Sequence, residues 1–262
     1  MNPSLPTSPN ITQAQLSDLL LSVLKTHTSE ADYENHRVHW RDIHTPYYMP
    51  HWQEFLNTLP KESLQILDCG SGYGFWSLFL ANHGHQVTAF DHSEKYLDVL
   101  NKTAHKTGFK IPTEQGDLHD LSALGSKQFD ATFSFSTLHI VEKPLQALGE
   151  MLRLTRPGGY IMIGFGNTQH PINLAKWKGG KQYRLEVTPE YLATWMGEAA
   201  TLCFSRDSFV EDARVRHSCG DTPLFYIRAY QRTDKPLPPA STPRQETHKK
   251  QGGLFGLFTP KK

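Results

Sequence analysis

The chain has 262 residues, 38% of them hydrophobic, enough for one domain of about 200 residues with a single substantial core plus extensions. Its 27 Lys+Arg stand against 26 Asp+Glu, a balance that excludes the strong basic footprint of a general nucleic-acid binder. There is no leader pattern and no run of about 18 apolar residues to span a bilayer, and Cys69, Cys203 and Cys219 lack metal-ligand spacing; a reducing, cytoplasmic location is expected.

Residues 1–10 are polar and proline-bearing, after which Leu16, Leu19, Leu20, Val23 and Leu24 recur at the spacing of one helix face. An N-terminal helix packed on the rest of the protein follows. From Tyr33 to Leu59 aromatic and histidine residues are dense, and Pro46 and Pro50 are expected to break the segment into short pieces. Residues 1–62 therefore read as a helical cap or lid. Its Trp40, Tyr47, Tyr48 and Trp52 are either the lid's own core or a wall for a flat substrate, with Tyr47 or Tyr48 near the site.

Strand, loop and helix then alternate, which predicts a parallel sheet in a main domain of residues 63–231. Leu64 to Asp68 reads as a strand, Phe75 to His83 as a helix stopped by Gly84, and Gln86 to Asp91 as the second strand. Ser93 caps a helix from Glu94 to Lys106 that Gly108 stops, and Thr113 to Asp117 is a weak third strand. Phe129 to Phe135 makes a fourth strand, Pro144 to Leu154 a helix, and Tyr160 to Phe165 a fifth strand after Arg156-Pro157-Gly158-Gly159. Thr188 caps a helix from Pro189 to about Leu202, and Ser208 to His217 and Pro223 to Gln231 read as a closing hairpin. Residues 232–262, rich in Lys, Arg and Pro, read as a flexible basic tail. The tail's Leu254 to Phe258 is either a docking peptide or a disordered end.

The chemistry concentrates in Asp68-Cys69-Gly70-Ser71-Gly72-Tyr73-Gly74, between the first strand and its helix. Glycine is needed where the backbone turns tightly and where it must approach a ligand more closely than a Cβ allows. The spacing is G-x-G-x-G; the third glycine of a dinucleotide fingerprint would stand at Phe75. Asp91, 21 residues after Gly70, can accept both hydroxyls of a ribose, with His92 beside it. Asp117 can accept from an adenine amino group while Leu118 covers the ring. A nucleoside-type cofactor is expected. The fourteen histidines show no spacing of a recognisable metal site, so no metal is assigned.

Taken in order, Leu67-Asp68-x-Gly70-x-Gly72-x-Gly74, Val87 to Asp91, Gly116-Asp117-Leu118, Phe129 to Ser134, Leu138-His139 and Arg156 to Gly159 resemble the class I S-adenosylmethionine-dependent methyltransferases. The resemblance covers roughly Leu64 to Asn167 and is strongest to the broad group that includes quinone-biosynthesis enzymes. It implies an α/β fold, a doubly wound seven-stranded mostly parallel sheet closed by an antiparallel C-terminal hairpin. It implies that Asp68 and the loop Gly70, Ser71, Gly72 and Gly74 hold the methionine part of S-adenosylmethionine. Asp91 would then hold the ribose, Asp117 and Leu118 the adenine, and Ser134 with Phe135 the edge near the sulfonium. It also places His139 close to the methyl group, as a general base or as a loop histidine that bonds backbone.

The implied reaction is methyl transfer to a small organic acceptor through oxygen, carbon or an amine. An Asn/Asp-Pro-Pro-aromatic signature, which in this family marks methylation of DNA bases or glutamine, is replaced by Ser134-Phe135-Ser136-Thr137-Leu138-His139. Two other readings stay open: a non-catalytic S-adenosylmethionine sensor or scaffold, and an NAD(P)-dependent oxidoreductase, which the glycine spacing disfavours. Trp177, Lys178, Lys181, Tyr183 and Arg184 either bind an anionic group or form a solvated loop.

Overall fold

Apolar residues on both sides of the strands demand a sheet covered on both faces, and the computed structural model shows one. The structure describes residues 11–60, 62–167, 170, 188–209 and 222–238. Its strands are β1 (Gln65–Cys69), β2 (Gln86–Asp91), β3 (Thr113–Gln115), β4 (Phe129–Phe135), β5 (Thr155–Gly166), β6 (Ala200–Ser208) and β7 (Phe225–Arg232). They form one sheet in the order β3-β2-β1-β4-β5-β7-β6. The pairs from β3 through β5 are parallel, and β7 runs antiparallel to both β5 and β6. Ile66 and Met162 enter the core on one face, while Leu67, Ile161 and Ile163 enter the core on the other.

The first face is covered by the N-terminal helices together with the first two helices of the alternating region. Helix α1 (Gln13–His27) starts at a capping box, in which Thr12 and Gln15 each accept the other's backbone N–H, and buries Leu16, Leu20, Val23 and Leu24. Helix α2 (Glu30–Val38), a π-helical stretch over His39–Tyr48 and α3 (Met49–Leu56) follow without a break. Pro46 and Pro50 thus do not separate the segment into pieces. Pro50 sits in the first turn of α3, where its missing N–H costs nothing, and Pro46 falls where bonding has slipped to π spacing. Helices α4 (Phe75–Asn82) and α5 (Glu94–Thr107) share the same core, which holds Trp40, Trp52, Trp76, Phe79 and Leu100 together. An Arg206–Glu54 ion pair ties α3 to β6.

Helices α6 (Pro144–Leu154) and α7 (Pro189–Met196) cover the second face through Leu148, Met151, Leu192 and Trp195. Helix α7 ends six residues before the expected Leu202, because Gly197 turns with φ +51° and Ala200 to Ser208 pairs with β7 as the outer strand. The antiparallel pair is therefore present with its first strand earlier in the chain than Ser208 to His217, most of which lies outside the described residues. β3 stops at Gln115, so Asp117 lies just past the strand end, and β5 begins at Thr155 rather than Tyr160. The Trp177 to Arg184 cluster and the Leu254 to Phe258 peptide also lie outside the described residues. No described helix is long and apolar enough to cross a membrane.

Candidate active site

In this sheet the strand order reverses between β1 and β4, and the crevice beyond their carboxyl ends is where such a fold binds ligands. β1 ends there and the chain must turn into α4 within a few residues. Gly70, Gly72 and Gly74 take φ of +80°, +55° and +88° to do so. A Cβ at Gly74 would stand 2.3 Å from Leu100 Cδ1, whereas one at Gly72 would meet no atom within 4 Å. Gly74 is therefore a packing requirement, and Gly72 presents bare backbone to open space. The N–H groups of Gly70 and Ser71 donate to the Phe90 carbonyl at 2.8 and 3.0 Å, which pins the turn to β2.

Three acids stand around the turn in different environments. Asp91 is 5% exposed; its Oδ2 accepts the Gly72 N–H at 2.8 Å and its Oδ1 the Ser93 N–H at 2.9 Å, with His92 Nδ1 3.1 Å from Oδ1. Asp68 is 1% exposed and accepts from the Ser77 hydroxyl at 2.5 Å. Burial pushes its carboxyl up to about 7; the Ser77 hydrogen bond works against this and the charge of Asp91 adds to it. Asp117 is exposed, and hydrogen bonds from the backbone N–H and ring Nδ1 of His119, at 2.9 and 2.6 Å, hold its carboxyl below the usual range. His119 Nε2 accepts the Lys143 N–H at 3.1 Å, which leaves Nδ1 as the donor toward Asp117.

A cavity of about 730 Å³ joins these groups. Asp68, Gly70, Ser71, Gly72, Asp91, His92, Asp117, Leu118 and Phe135 line it, as expected of the site. The remaining expected residues do not line it. Gly74 is taken up by Leu100, and the Ser134 hydroxyl turns into the sheet to donate to the Cys69 carbonyl at 2.8 Å. Tyr48 is buried between Phe135 and Phe225, at ring distances of 5.2 and 4.7 Å, and Tyr47 receives the Ser208 hydroxyl on its backbone carbonyl. His139 Nδ1 accepts the Gly166 N–H at 3.3 Å, its ring meets Phe225 edge-on, and burial pushes its pKa down to about 4. In this placement the His139 imidazole bonds backbone and does not line the cavity.

Other residues complete the wall. Trp40 and His44 reach it from the π-helical stretch, Tyr73 from the glycine turn, Phe75 and Trp76 from the start of α4, and Tyr96 from α5. The aromatic N-terminal segment does supply a wall, through residues earlier than Tyr47 and Tyr48. Ser136 and Thr137 follow β4, and Ser136 is the one non-glycine residue at positive φ (+61°) among the described residues. No sequence signal marks Ser136. The pattern Asp117-x-His119 is a local one that could have identified His119.

Residues 67–163 match the model of a methyltransferase domain. A ubiquinone biosynthesis O-methyltransferase of Caulobacter sp. (strain K31) is 31% identical over 137 residues, 52% of this chain and 54% of that protein. An S-adenosyl-L-methionine-dependent Diels-Alderase of Talaromyces variabilis is 31% identical over 108 residues, 40% of this chain and 37% of that protein. The chain thus spans about half, or less, of the length of these curated relatives. Magnesium protoporphyrin IX methyltransferase from Synechocystis PCC 6803, solved with bound SAH, shares the fold, with TM-score 0.59 and 15% identity over 83% of this chain and 94% of that one.

The cavity wall itself fits a nucleoside cofactor with a polar arm. Ser71 Oγ is buried on it without a hydrogen-bond partner among the described residues, and Gly72 leaves space beside Ser71 that a side chain would fill. The domain match runs from β1 to β5 and includes the glycine turn, so sequence likeness and site geometry fall on the same part of the chain.

Proposed function

We propose that the chain transfers the methyl group of S-adenosylmethionine to a small organic acceptor, releasing S-adenosylhomocysteine. The observation that carries this reading is the single cavity that brings the Gly70–Gly74 turn, Asp91 and Asp117 to one crevice beside an aromatic wall. In the proposed arrangement Asp91 holds the ribose hydroxyls, Asp117 and Leu118 hold the adenine, and the turn with Asp68 and Ser71 holds the methionine part. His119 positions Asp117, and Phe135 borders the reacting centre.

When bound, the cofactor would supply an electrophilic methyl group on a positively charged sulfur. The protein's share of the work is then alignment and exclusion of water. Trp40, Tyr73, Phe75, Trp76 and Phe135 wall the cavity with apolar surface, which favours a dry site and a flat acceptor. The O-methyltransferase relative favours oxygen as the accepting atom. The free thiols of Cys69 and Cys203 suit a cytoplasmic setting.

Calorimetry with S-adenosylhomocysteine and with NADH tests the cofactor. Binding of the first and not the second is expected. A labelled-methyl transfer assay against a metabolite extract, with the product identified by mass spectrometry, then tests turnover. Tight binding without any labelled product would favour the sensor reading.

A further inference from the structure

His44 lines the cavity from the π-helical stretch, boxed by Tyr48, Phe75, Trp76 and Phe135 at ring distances of 5.4, 5.7, 5.8 and 5.4 Å. Among the described residues neither of its ring nitrogens has a hydrogen-bond partner, and Nδ1 is fully buried. The Trp76 indole N–H beside it is also buried and unpaired, and the two rings stack at 26°. Buried polar atoms left without partners are costly, so two of them on adjacent rings in a cavity wall point to a group that satisfies both.

A hydroxyl does so, because it donates one hydrogen bond and accepts another. Imidazole accepts through its unprotonated nitrogen, and indole N–H only donates. The charge of the wall narrows the class further. Asp91, Asp117 and Glu142 line the cavity, while no Lys or Arg does among the described residues, so with S-adenosylhomocysteine, which lacks the sulfonium charge, an anionic ligand would meet acidic groups without a side-chain cation.

We propose that the acceptor is a flat, uncharged aromatic molecule carrying a hydroxyl group, which donates to His44 and accepts from the Trp76 indole. This rests on the methyltransferase reading above and names the substrate class of the same cavity. The ring of such a molecule packs among Phe75, Trp76 and Phe135. Burial pushes the pKa of His44 down to about 3, so the imidazole meets the hydroxyl uncharged, as a hydrogen-bond acceptor that selects and orients it.

The test uses the full chain saturated with S-adenosylhomocysteine and three probes: 4-nitrophenol at a pH below its ionisation, 4-nitroanisole, which lacks the O–H, and anionic 4-nitrobenzoate. 4-Nitrophenol is expected to bind about tenfold or more tighter than either of the others, as one good hydrogen bond provides. His44→Phe should erase that preference with S-adenosylhomocysteine affinity retained, and His44→Gln, which still accepts, should restore part of it. Equal binding of phenol and anisole, or tighter binding of the benzoate, overturns the proposal. So does a His44→Phe variant that loses affinity for S-adenosylhomocysteine while its phenol preference persists. If His44→Phe does not fold, the wild-type preference and His44→Gln decide. If S-adenosylhomocysteine fails to bind at all, the methyltransferase reading fails separately, and the probe preference is read on the free chain.

Discussion

Asp91, at the end of β2, accepts the backbone N–H of Gly72 at 2.8 Å and so braces the glycine turn from the neighbouring strand. Its second oxygen accepts the Ser93 N–H at the start of α5. The carboxylate proposed to hold the ribose is thereby oriented before any ligand arrives, and the turn depends on it.

Asp91→Ala should therefore weaken S-adenosylhomocysteine binding by about 1–3 kcal/mol, through lost charge-assisted hydrogen bonds and a loosened turn. Calorimetry measures the affinity and thermal unfolding confirms that the variant is folded. Unchanged affinity in a folded variant would remove Asp91 from the ribose role.

The glycines of the turn should separate packing from binding. Gly74→Ala places a methyl 2.3 Å from Leu100 at φ +88°, so strain of about 1–2 kcal/mol is joined by a clash of about 1–3 kcal/mol. Gly72→Ala carries the strain at φ +55° without the clash, but puts its methyl into the open space at the cavity. Denaturant unfolding should rank Gly74→Ala as the less stable, while S-adenosylhomocysteine affinity should fall more in Gly72→Ala. The reverse ranking would contradict the assignment.

Asp68 should impose a pH slope on stability. Its folded pKa, near 7, lies above the unfolded value of about 3.9, so the folded state binds the proton more tightly and the contribution is full below about pH 4. It is lost as pH rises through 7, by roughly 2–4 kcal/mol. The half-buried His36, His44, His85 and His139, all pushed down by desolvation, contribute the opposite slope below about 6.5, so the wild-type curve alone is ambiguous. The difference between wild type and Asp68→Asn isolates the acid: the variant should gain relative stability between pH 4 and 7, as measured by urea unfolding. A flat difference would mean that Asp68 is not destabilised by its burial.

His119 should act on the cofactor only through Asp117. Removing the ring in His119→Ala leaves Asp117 without its 2.6 Å side-chain partner, and S-adenosylhomocysteine affinity should fall by about 1 kcal/mol. Affinity for free methionine should not change. His119→Asn, which can still donate to Asp117, should recover part of the loss. Equal losses for both ligands would assign His119 a general structural role.

Much of the fold was readable because its signals are local. The continuous apolar runs Ile66-Leu67 and Ile161-Met162-Ile163, the caps at Ser93 and Thr188, and the positive-φ stops at Gly84 and Gly108 each depend on a few adjacent residues. Where local signals competed, boundaries moved. The run from Pro189 toward Leu202 is interrupted by Gly197, whose positive φ ends the helix, and pairing with β7 takes Ala200 onward into a strand.

The sequence by itself determined the acid-preceded glycine turn, the two further acids after strands two and three, and the α/β order that carries all of them to one edge of a parallel sheet. Turn chemistry and periodicity act within a few residues, so they can be read without a structure. Only the tertiary structure decided which side chains face the cavity. Trp40 and His44 line it while Tyr47 and Tyr48 do not, Ser134 turns inward while Ser136 is held at φ +61°, and His139 meets Gly166 and Phe225. Those outcomes rest on contacts between segments far apart in the chain, such as His44 with Phe135, whose packing no local pattern encodes.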